Sequence, residues 1–277
     1  MSSNNTLVMG GGGVTGIAWM TGLLKGLEQQ GMDITEFDRL IGTSAGDALE
    51  AQISSGVGID ELYERQTIAV KQVQELTPSL NLFKILLKLM PALLVKNKPI
   101  KFRQRIGKMA LNTKTVNAEA RRQVMLARMP KHEWPDIQIN ILAIHSVSGK
   151  LANFTKDSNV DFVDAVAASC AVPGVWPSVK INGEYYYDGA IRSAENADLA
   201  MGAKNVFIIS PSGLNGLPLF KSHLKADIER LEKNGSNVTL ISPDAHSKQQ
   251  MGKNALDNTK REVSAKAGYQ QGLAIKL

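Results

Sequence analysis

The stretch Asp38-Arg39-Leu40-Ile41-Gly42-Thr43-Ser44-Ala45-Gly46 decides how the chain is read. A short strand, Asp38 to Ile41, ends in a G-x-S-x-G turn, and a helical pattern follows to about Ser54. A strand that breaks into a helix this way has the form of a nucleophile elbow. The serine sits on a strained turn, and the free N–H groups and positive dipole end of the next helix face its oxygen. Gly42 and Gly46 are read as positions where a β-carbon would collide with neighbouring backbone. Alone, the pattern is weak: the same residues would serve a plain strand-to-helix turn with Ser44 as N-cap.

Upstream, the apolar run Thr6 to Met9 stops at Gly10-Gly11-Gly12-Gly13, and Ile17 to Gln30 carries Ile17, Met20, Leu23, Leu24 and Leu27 on one helical face. Gly31 caps that helix, Gly56 and Gly58 end the next, and Asp60 to about Glu75 reads as a third. Strand, glycine loop, helix, strand, tight turn, helix is the alternation of a parallel sheet covered on both faces. The glycine run suits two chemistries. Its N–H groups could hold a developing oxyanion. Alternatively, Gly11, Gly13 and Gly16 match the dinucleotide pattern G-x-G-x-x-G. Asp38 lies near the place of a ribose-binding acid, but the elbow occupies that place and no Walker lysine follows, which favours the oxyanion reading.

Downstream, Leu80 to Lys131 is helical but interrupted by Pro91 and Pro99. Ile137 to His145 is a strand and Asp161 to Ser169 a short helix. Val179 to Ile181 and Tyr185 to Tyr187 flank Asn182-Gly183, a strong hairpin signal. Asn205 to Ser210 and Asn237 to Ser242 are buried strands with a charged helix, about Ser222 to Lys233, between them; the tail from Asp257 reads as one amphipathic helix. With no repeats, low-complexity tract or linker, residues 1–277 are expected to form a single α/β domain with an inserted basic helical lid or cap at about 77–131.

The chain has 277 residues, 43% of them apolar, enough for a core without staples. Its single cysteine, Cys170, excludes an intrachain disulfide. The first residues lack the basic and apolar regions of a secretory signal, and no 18-residue apolar run exists, so a cytoplasmic address is expected. Charge is uneven. Leu80 to Lys131 holds 13 Lys or Arg and one acid, Glu119, or +12, against a net +6 for the whole chain. There Leu82, Phe83, Leu86, Leu87, Met90, Leu93 and Leu94 form an apolar stripe, followed by Lys96, Lys98, Lys101, Arg103, Arg105 and Lys108. This suits a lid helix packed on the core, or peripheral contact with an anionic membrane. Nucleic acid is not expected, since Phe83 and Phe102 are the segment's aromatics. Either way, an apolar slot beside Ser44 is predicted.

A nucleophilic serine needs a base. Among His132, His145, His223 and His246, His246 comes late enough for a Ser-Asp-His triad. Asp188, in Tyr187-Asp188-Gly189-Ala190, is the other candidate, although an Asp-Gly pair is commonly a surface turn. The residues alone leave both open.

Taken together, these segments resemble the patatin-like phospholipase family over nearly the whole chain. Gly11-Gly12-Gly13-Val14-Thr15-Gly16 resembles its glycine-rich oxyanion loop, Gly42-Thr43-Ser44-Ala45-Gly46 its nucleophile motif, and Asp188-Gly189-Ala190 its D-G-G/A motif. Ala168-Ser169-Cys170-Ala171-Val172-Pro173 resembles the S-x-A-x-P segment before that aspartate. The resemblance implies a three-layer α/β/α sandwich around a mainly parallel sheet. It implies Ser44 as nucleophile, Asp188 as base without a histidine, an oxyanion hole of Gly11, Gly12 and Gly13 N–H groups, lipid or other acyl-ester substrates, and no metal or cofactor. Two positions depart. Thr15 stands where Lys or Arg is usual, which favours neutral esters or lysolipids over phosphate head groups. Asp47 stands where small residues are usual, and its carboxylate is expected to turn away from Ser44. These departures also suit a catalytically weak, membrane-associated binding protein. Asn196, eight residues after Asp188, is expected to cap a helix, with bracing of the loop as the second reading; Trp19 and Trp176 are expected to pack in the core, with pocket lining as the second reading.

Overall fold

A computed structural model describes residues 4–72, 76, 82–214 and 223–276, with the side chains of 82–87 left aside. The N-terminal part runs β1 (Asn5–Met9), α1 (Gly13–Gln29), β2 (Arg39–Gly42), α2 (Ala45–Ser54) and α3 (Ile59–Thr67). The basic segment supplies α4 (Leu82–Leu93), α5 (Pro99–Leu111) and α6 (Ala118–Arg128). Then come β3 (Gln138–His145), β4 (Leu151–Phe154), α7 (Phe162–Ser169), β5 (Val179–Ile181) and β6 (Glu184–Asp188). The chain continues with β7 (Asn205–Ile209), α8 (Leu224–Lys233), β8 (Asn237–Ile241), α9 (Ala245–Met251) and α10 (Arg261–Ala274).

The strands form one sheet in the order β5-β6-β3-β2-β1-β7-β8, with β4 also paired to β3. From β3 to β8 along that order every pairing is parallel; β4, β5 and β6 add the antiparallel part. Because side chains alternate along a strand, each core strand feeds two layers. Leu7, Met9, Leu40, Ile141 and Ala143 face a cluster with Trp19, Leu23, Leu49 and Val166, from α1, α2 and α7. Val8, Ile41, Leu142 and Ile208 face Leu224 and Leu231 of α8. Ile144 and Tyr187 turn to that same side and meet Ala92, Phe102 and Ile106 of α4 and α5. The three-layer sandwich is the observed architecture.

The Asn182-Gly183 hairpin forms as expected, both residues at positive φ (50° and 88°) between β5 and β6. Three elements differ from the sequence reading. β4 was not expected: its four residues are too short to show a pattern, and the turn before it needs Gly149 at φ 66°. The third helix stops at Thr67, where Ile68 is extended at φ −114°, ψ 111°; its expected end at Glu75 lies outside the described residues. The basic segment is not one lid. α4 and α5 pack behind the sheet, and α6 lies near the opposite face through α7, where Arg122 meets Asp164 at 2.6 Å and Asp161 at 3.1 Å. Residues 77–81 and the side chains of Leu82, Phe83, Leu86 and Leu87 lie outside the described set.

The tail helix is more than amphipathic. α1 and α10 touch backbone to backbone: a β-carbon on Gly22 would lie 1.9 Å from the Ala265 carbonyl oxygen, and one on Gly268 would lie 2.1 Å from that of Trp19. Gln271 on α10 then gathers four polar groups. Its Oε1 accepts from Trp19 Nε1 (3.1 Å), Ser247 Oγ (2.9 Å) and the Asp244 N–H (3.1 Å), and its Nε2 donates to the Ser242 carbonyl (2.8 Å). Trp19 itself is fully buried, as its place in the core predicted.

Candidate active site

β1 and β2 run parallel in register, Met9 opposite Gly42, so the loops that leave them rise side by side. On β2 the chain turns through Ser44 at φ 56°, ψ −111° and enters α2. A non-glycine residue held at positive φ stores strain of about 1–3 kcal/mol, so its surroundings must over-determine it. α2 can start there only because Gly46 lies against β1: a β-carbon on Gly46 would sit 1.9 Å from the Met9 carbonyl oxygen, and one on Gly42 2.7 Å from the Asp47 backbone.

β6 runs the other way along β3 and pairs Asp188 with Ala143, on the face that carries α2 and α7. The Ser44 hydroxyl donates to Asp188 Oδ2 at 2.7 Å, while Asp188 Oδ1 accepts the Ala190 N–H at 2.8 Å. Ser44 is 8% exposed and Asp188 2%. Burial pushes the Asp188 carboxyl up to about 7, opposed by the Ser44 and Ala190 hydrogen bonds. A carboxylate of that basicity can exchange a proton with an alcohol near neutral pH.

The glycine loop closes the third side. Gly11 packs against Ser44 and against Ala190, two residues after Asp188: a β-carbon there would lie 3.3 Å from Ala190 Cβ and 3.5 Å from Ser44 Cβ. Its N–H is already committed to the Ala194 carbonyl at 2.7 Å. The N–H groups of Gly12 and Gly13, at the start of α1, make no hydrogen bond among the described residues. Of the three expected oxyanion donors, Gly12 and Gly13 are therefore available and Gly11 is engaged elsewhere.

A cavity opens beside Ser44. Val14, Ile17, Ala48, Val172, Trp176 and Leu256 line its apolar part, and Arg65, Arg121, Arg128 and Arg261 line the rest. The expected apolar slot is thus joined by four arginines. Burial holds the Arg121 and Arg261 guanidiniums below their usual range and brings Arg128 down to about 10. Arg121 stacks over Trp176 at 4.0 Å, and Arg65 is paired with Glu61 at 2.6 Å. Trp176 lines the cavity instead of filling core. Arg121 and Arg128 come from α6, so this helix alone brings the basic segment to the nucleophile among the described residues. No histidine is among the described lining residues, and His246 is exposed on α9.

Residues 7–201 match the family model "Patatin-like phospholipase". The chain belongs to the patatin-like phospholipase family. No curated protein matches its sequence. Among solved structures it is similar to VipD from Legionella pneumophila, with 14% identity, a TM-score of 0.48, and coverage of 98% of this chain and 66% of that one. It is also similar to the type III effector protein ExoU, with 16% identity, a TM-score of 0.38, and coverage of 99% and 54%. The chain therefore spans about two thirds of VipD's length and about half of ExoU's.

Within this patatin-like frame, two polar braces hold the elbow, and of these only the one through Asn196 was among the sequence readings. Asn196, expected to cap a helix, makes no cap hydrogen bond; it sits fully buried at φ 50°. Its Nδ2 donates to Thr43 Oγ1 (3.1 Å) and the Ser193 carbonyl (2.9 Å), and Arg192 donates to its Oδ1 at 2.6 Å. The only hint in the sequence was its place eight residues after Asp188. Asp47 does turn from the Ser44 hydroxyl, as expected, but not toward solvent. It is fully buried, and its Oδ2 accepts from Ser169 Oγ and from the Leu142 N–H (3.2 Å). Burial pushes its carboxyl up to about 8. Glu50, one turn on, is also fully buried, neither carboxyl oxygen has a hydrogen-bond partner among the described residues, and burial, with Asp47 beside it, raises its pKa well above the usual carboxylate range; nothing in the structure explains it.

Proposed function

We propose that the protein is a serine lipid acyl hydrolase of phospholipase A type, cleaving carboxylic esters through a Ser44–Asp188 dyad and an acyl-enzyme. The observation that carries this is the 2.7 Å hydrogen bond from the strained elbow serine to a buried carboxylate. Ser44 Oγ attacks the ester carbonyl carbon as its proton passes to Asp188 Oδ2. The carbonyl oxygen gains the negative charge, and the N–H groups of Gly12 and Gly13 stabilise it. The intermediate collapses, the alcohol leaves with the proton from Asp188, and the acyl group stays on Ser44. Water then gives a proton to Asp188, attacks the acyl carbon, and the released Ser44 oxygen recovers that proton. No metal or cofactor takes part. The exposure of His246 argues against a triad through that residue.

The pocket supports a refinement of the substrate. Thr15 removes a cation from the glycine loop, but Arg121, Arg128 and Arg261 place positive charge elsewhere in the same cavity. This favours phospholipids or lysophospholipids over neutral esters, with the acyl chain against Val14, Ile17 and Leu256.

The α4–α5 corner supports peripheral contact with an anionic membrane. Met90 and Leu94 are 54% and 83% exposed, Ile100 is 43% exposed, and Lys96, Lys98 and Lys101 stand beside them in solvent. No helix among the described residues is long and apolar enough to cross a membrane.

The deciding experiment is reaction with a fluorophosphonate probe. Ser44 is labelled and Ser44→Ala is not; no labelling of the native chain would overturn the reading and leave a binding protein with an inert site.

A further inference from the structure

The strained Ser44 backbone is gripped from below by a chain of hydrogen bonds that the reaction itself does not use. The Ser44 N–H donates to Ser169 Oγ at 2.8 Å, and the Ser169 hydroxyl donates on to Asp47 Oδ2. The same Asp47 oxygen accepts the Leu142 N–H at 3.2 Å. Both Asp47 and Ser169 are fully buried, so no water competes for these contacts.

The four residues come from different places in the fold. Ser44 and Asp47 belong to the elbow and the first turn of α2, Ser169 is the last residue of α7, and Leu142 is in the middle of β3. Leu142 immediately precedes Ala143, the partner of Asp188 in the sheet, and a β-carbon on Gly189 would lie 2.4 Å from the Leu142 carbonyl oxygen. One carboxyl group therefore ties the segment carrying the nucleophile to the strand that sets the height of its base. Ser169 is the intermediate part: its hydroxyl oxygen accepts from the elbow N–H, which can only donate, and its one hydrogen goes to Asp47 Oδ2.

We infer that Asp47 and Ser169 are positioning residues for the Ser44–Asp188 pair, fixing the elbow conformation and the distance over which the proton moves. The inference rests on the acyl-hydrolase reading above. It also gives a purpose to Asp47, which interrupts the small residues expected after the nucleophile motif. The carboxyl must be an acceptor toward two donors, which Asn can also be through its Oδ1, whereas Ala cannot.

The test compares Ser169→Ala, Asp47→Ala and Asp47→Asn with the native chain in hydrolysis of a short-chain p-nitrophenyl ester. Misplacement of a reacting group by about 1 Å lowers rate on the order of 100-fold. We expect kcat to fall by roughly 10- to 100-fold in Ser169→Ala and Asp47→Ala with KM within about twofold, and Asp47→Asn to retain most of the native kcat. The double variant Ser169→Ala/Asp47→Ala should be little worse than either single one, since both break one chain. Native kcat in Ser169→Ala, or equal loss in Asp47→Asn and Asp47→Ala, would overturn the inference. A second readout needs no catalysis: the amide resonance of Ser44 should move in Ser169→Ala while those of β7 and β8 stay. A native chain that hydrolyses no ester would count against the dyad alone, whereas an unmoved Ser44 amide would count against the positioning network. If Ser169→Ala fails to fold, the Asp47→Asn and Asp47→Ala pair decides on the same criteria.

Discussion

The Asn196 side chain donates to Thr43 Oγ1 at 3.1 Å, so the loop after the candidate base holds the residue just before the candidate nucleophile. Asn196 is suited to this by its backbone as well, because asparagine tolerates the left-handed conformation it adopts at φ 50°. Removing the side chain takes a donor from the buried Thr43 hydroxyl and one acceptor from Arg192, whose guanidinium keeps Asp198. Asn196→Ala is expected to lose about 1–3 kcal/mol of stability. It should also lower kcat, because the elbow loosens. Urea unfolding and steady-state ester hydrolysis measure the two effects, and a variant as stable and as active as the native chain would contradict both.

The buried carboxyls give stability an unusual pH dependence. Burial raises Asp188 to about 7, Glu195 to about 7 and Asp47 to about 8. Each binds its proton more tightly folded than unfolded, so the folded state loses stability as pH rises from about 4, and the loss levels off above about 8. Asp188→Asn has no proton to lose. Relative to the native chain it should be inactive yet more stable at pH 8, by up to about 4 kcal/mol, and little changed at pH 4. Thermal unfolding at the two pH values decides this; an Asp188→Asn chain that melts lower at pH 8 would show that burial is not what governs this carboxyl.

The same carboxyl fixes the direction of the rate profile. Asp188 must be unprotonated to accept the Ser44 proton, so kcat/KM should rise as pH passes through about 7. A profile flat from pH 5 to 9 would be at odds with Asp188 as the base.

At the elbow, Gly46→Ala would force α2 away from β1, because the new methyl would overlap the Met9 carbonyl. The expected cost is about 3 kcal/mol, with loss of probe labelling at Ser44. Circular dichroism melting and fluorophosphonate labelling report the two together. Gly31→Ala, where a β-carbon meets nothing within 4 Å, is the control; it should keep labelling while paying only for its own positive φ of 96°.

At the α4–α5 corner, replacing Lys96, Lys98 and Lys101 together by Gln should weaken sedimentation with anionic liposomes by about 3 kcal/mol, at about 1 kcal/mol per lysine. Binding to neutral liposomes should not change. Equal sedimentation of both chains would leave the corner as a solvated face.

How much of this was legible in the sequence follows from how local each signal is. The elbow, the glycine loop and the Asn182-Gly183 hairpin are written in consecutive residues whose backbone needs are specific, and they appear where expected. The pairing of Ser44 with Asp188 was available only through resemblance, because the sheet that brings them within 2.7 Å is assembled from distant segments. The partners of the braces were invisible for the same reason: Asp47 and Ser169 are separated by 122 residues and Asn196 and Thr43 by 153, and neither Asp nor Asn advertises a buried partner. The arginines of the cavity were not singled out in the sequence, since nothing in Arg121 or Arg261 tells which face of its helix meets the nucleophile. β4 left no pattern at all.

The close contact of α1 with α10 bears on how the protein is made. Gly22 and Gly268 are matched surfaces, and the side of α1 that carries Gly22 and Gly26 lacks this close partner until α10 reaches it. Ribosomes add residues from the N-terminus, so α1, which directly follows the glycine loop, is made long before the helix that packs against it. A nascent chain halted before Arg261 would carry the complete Ser44 and Asp188 motifs, lack one wall of the cavity, and expose α1 to chaperones or to other chains.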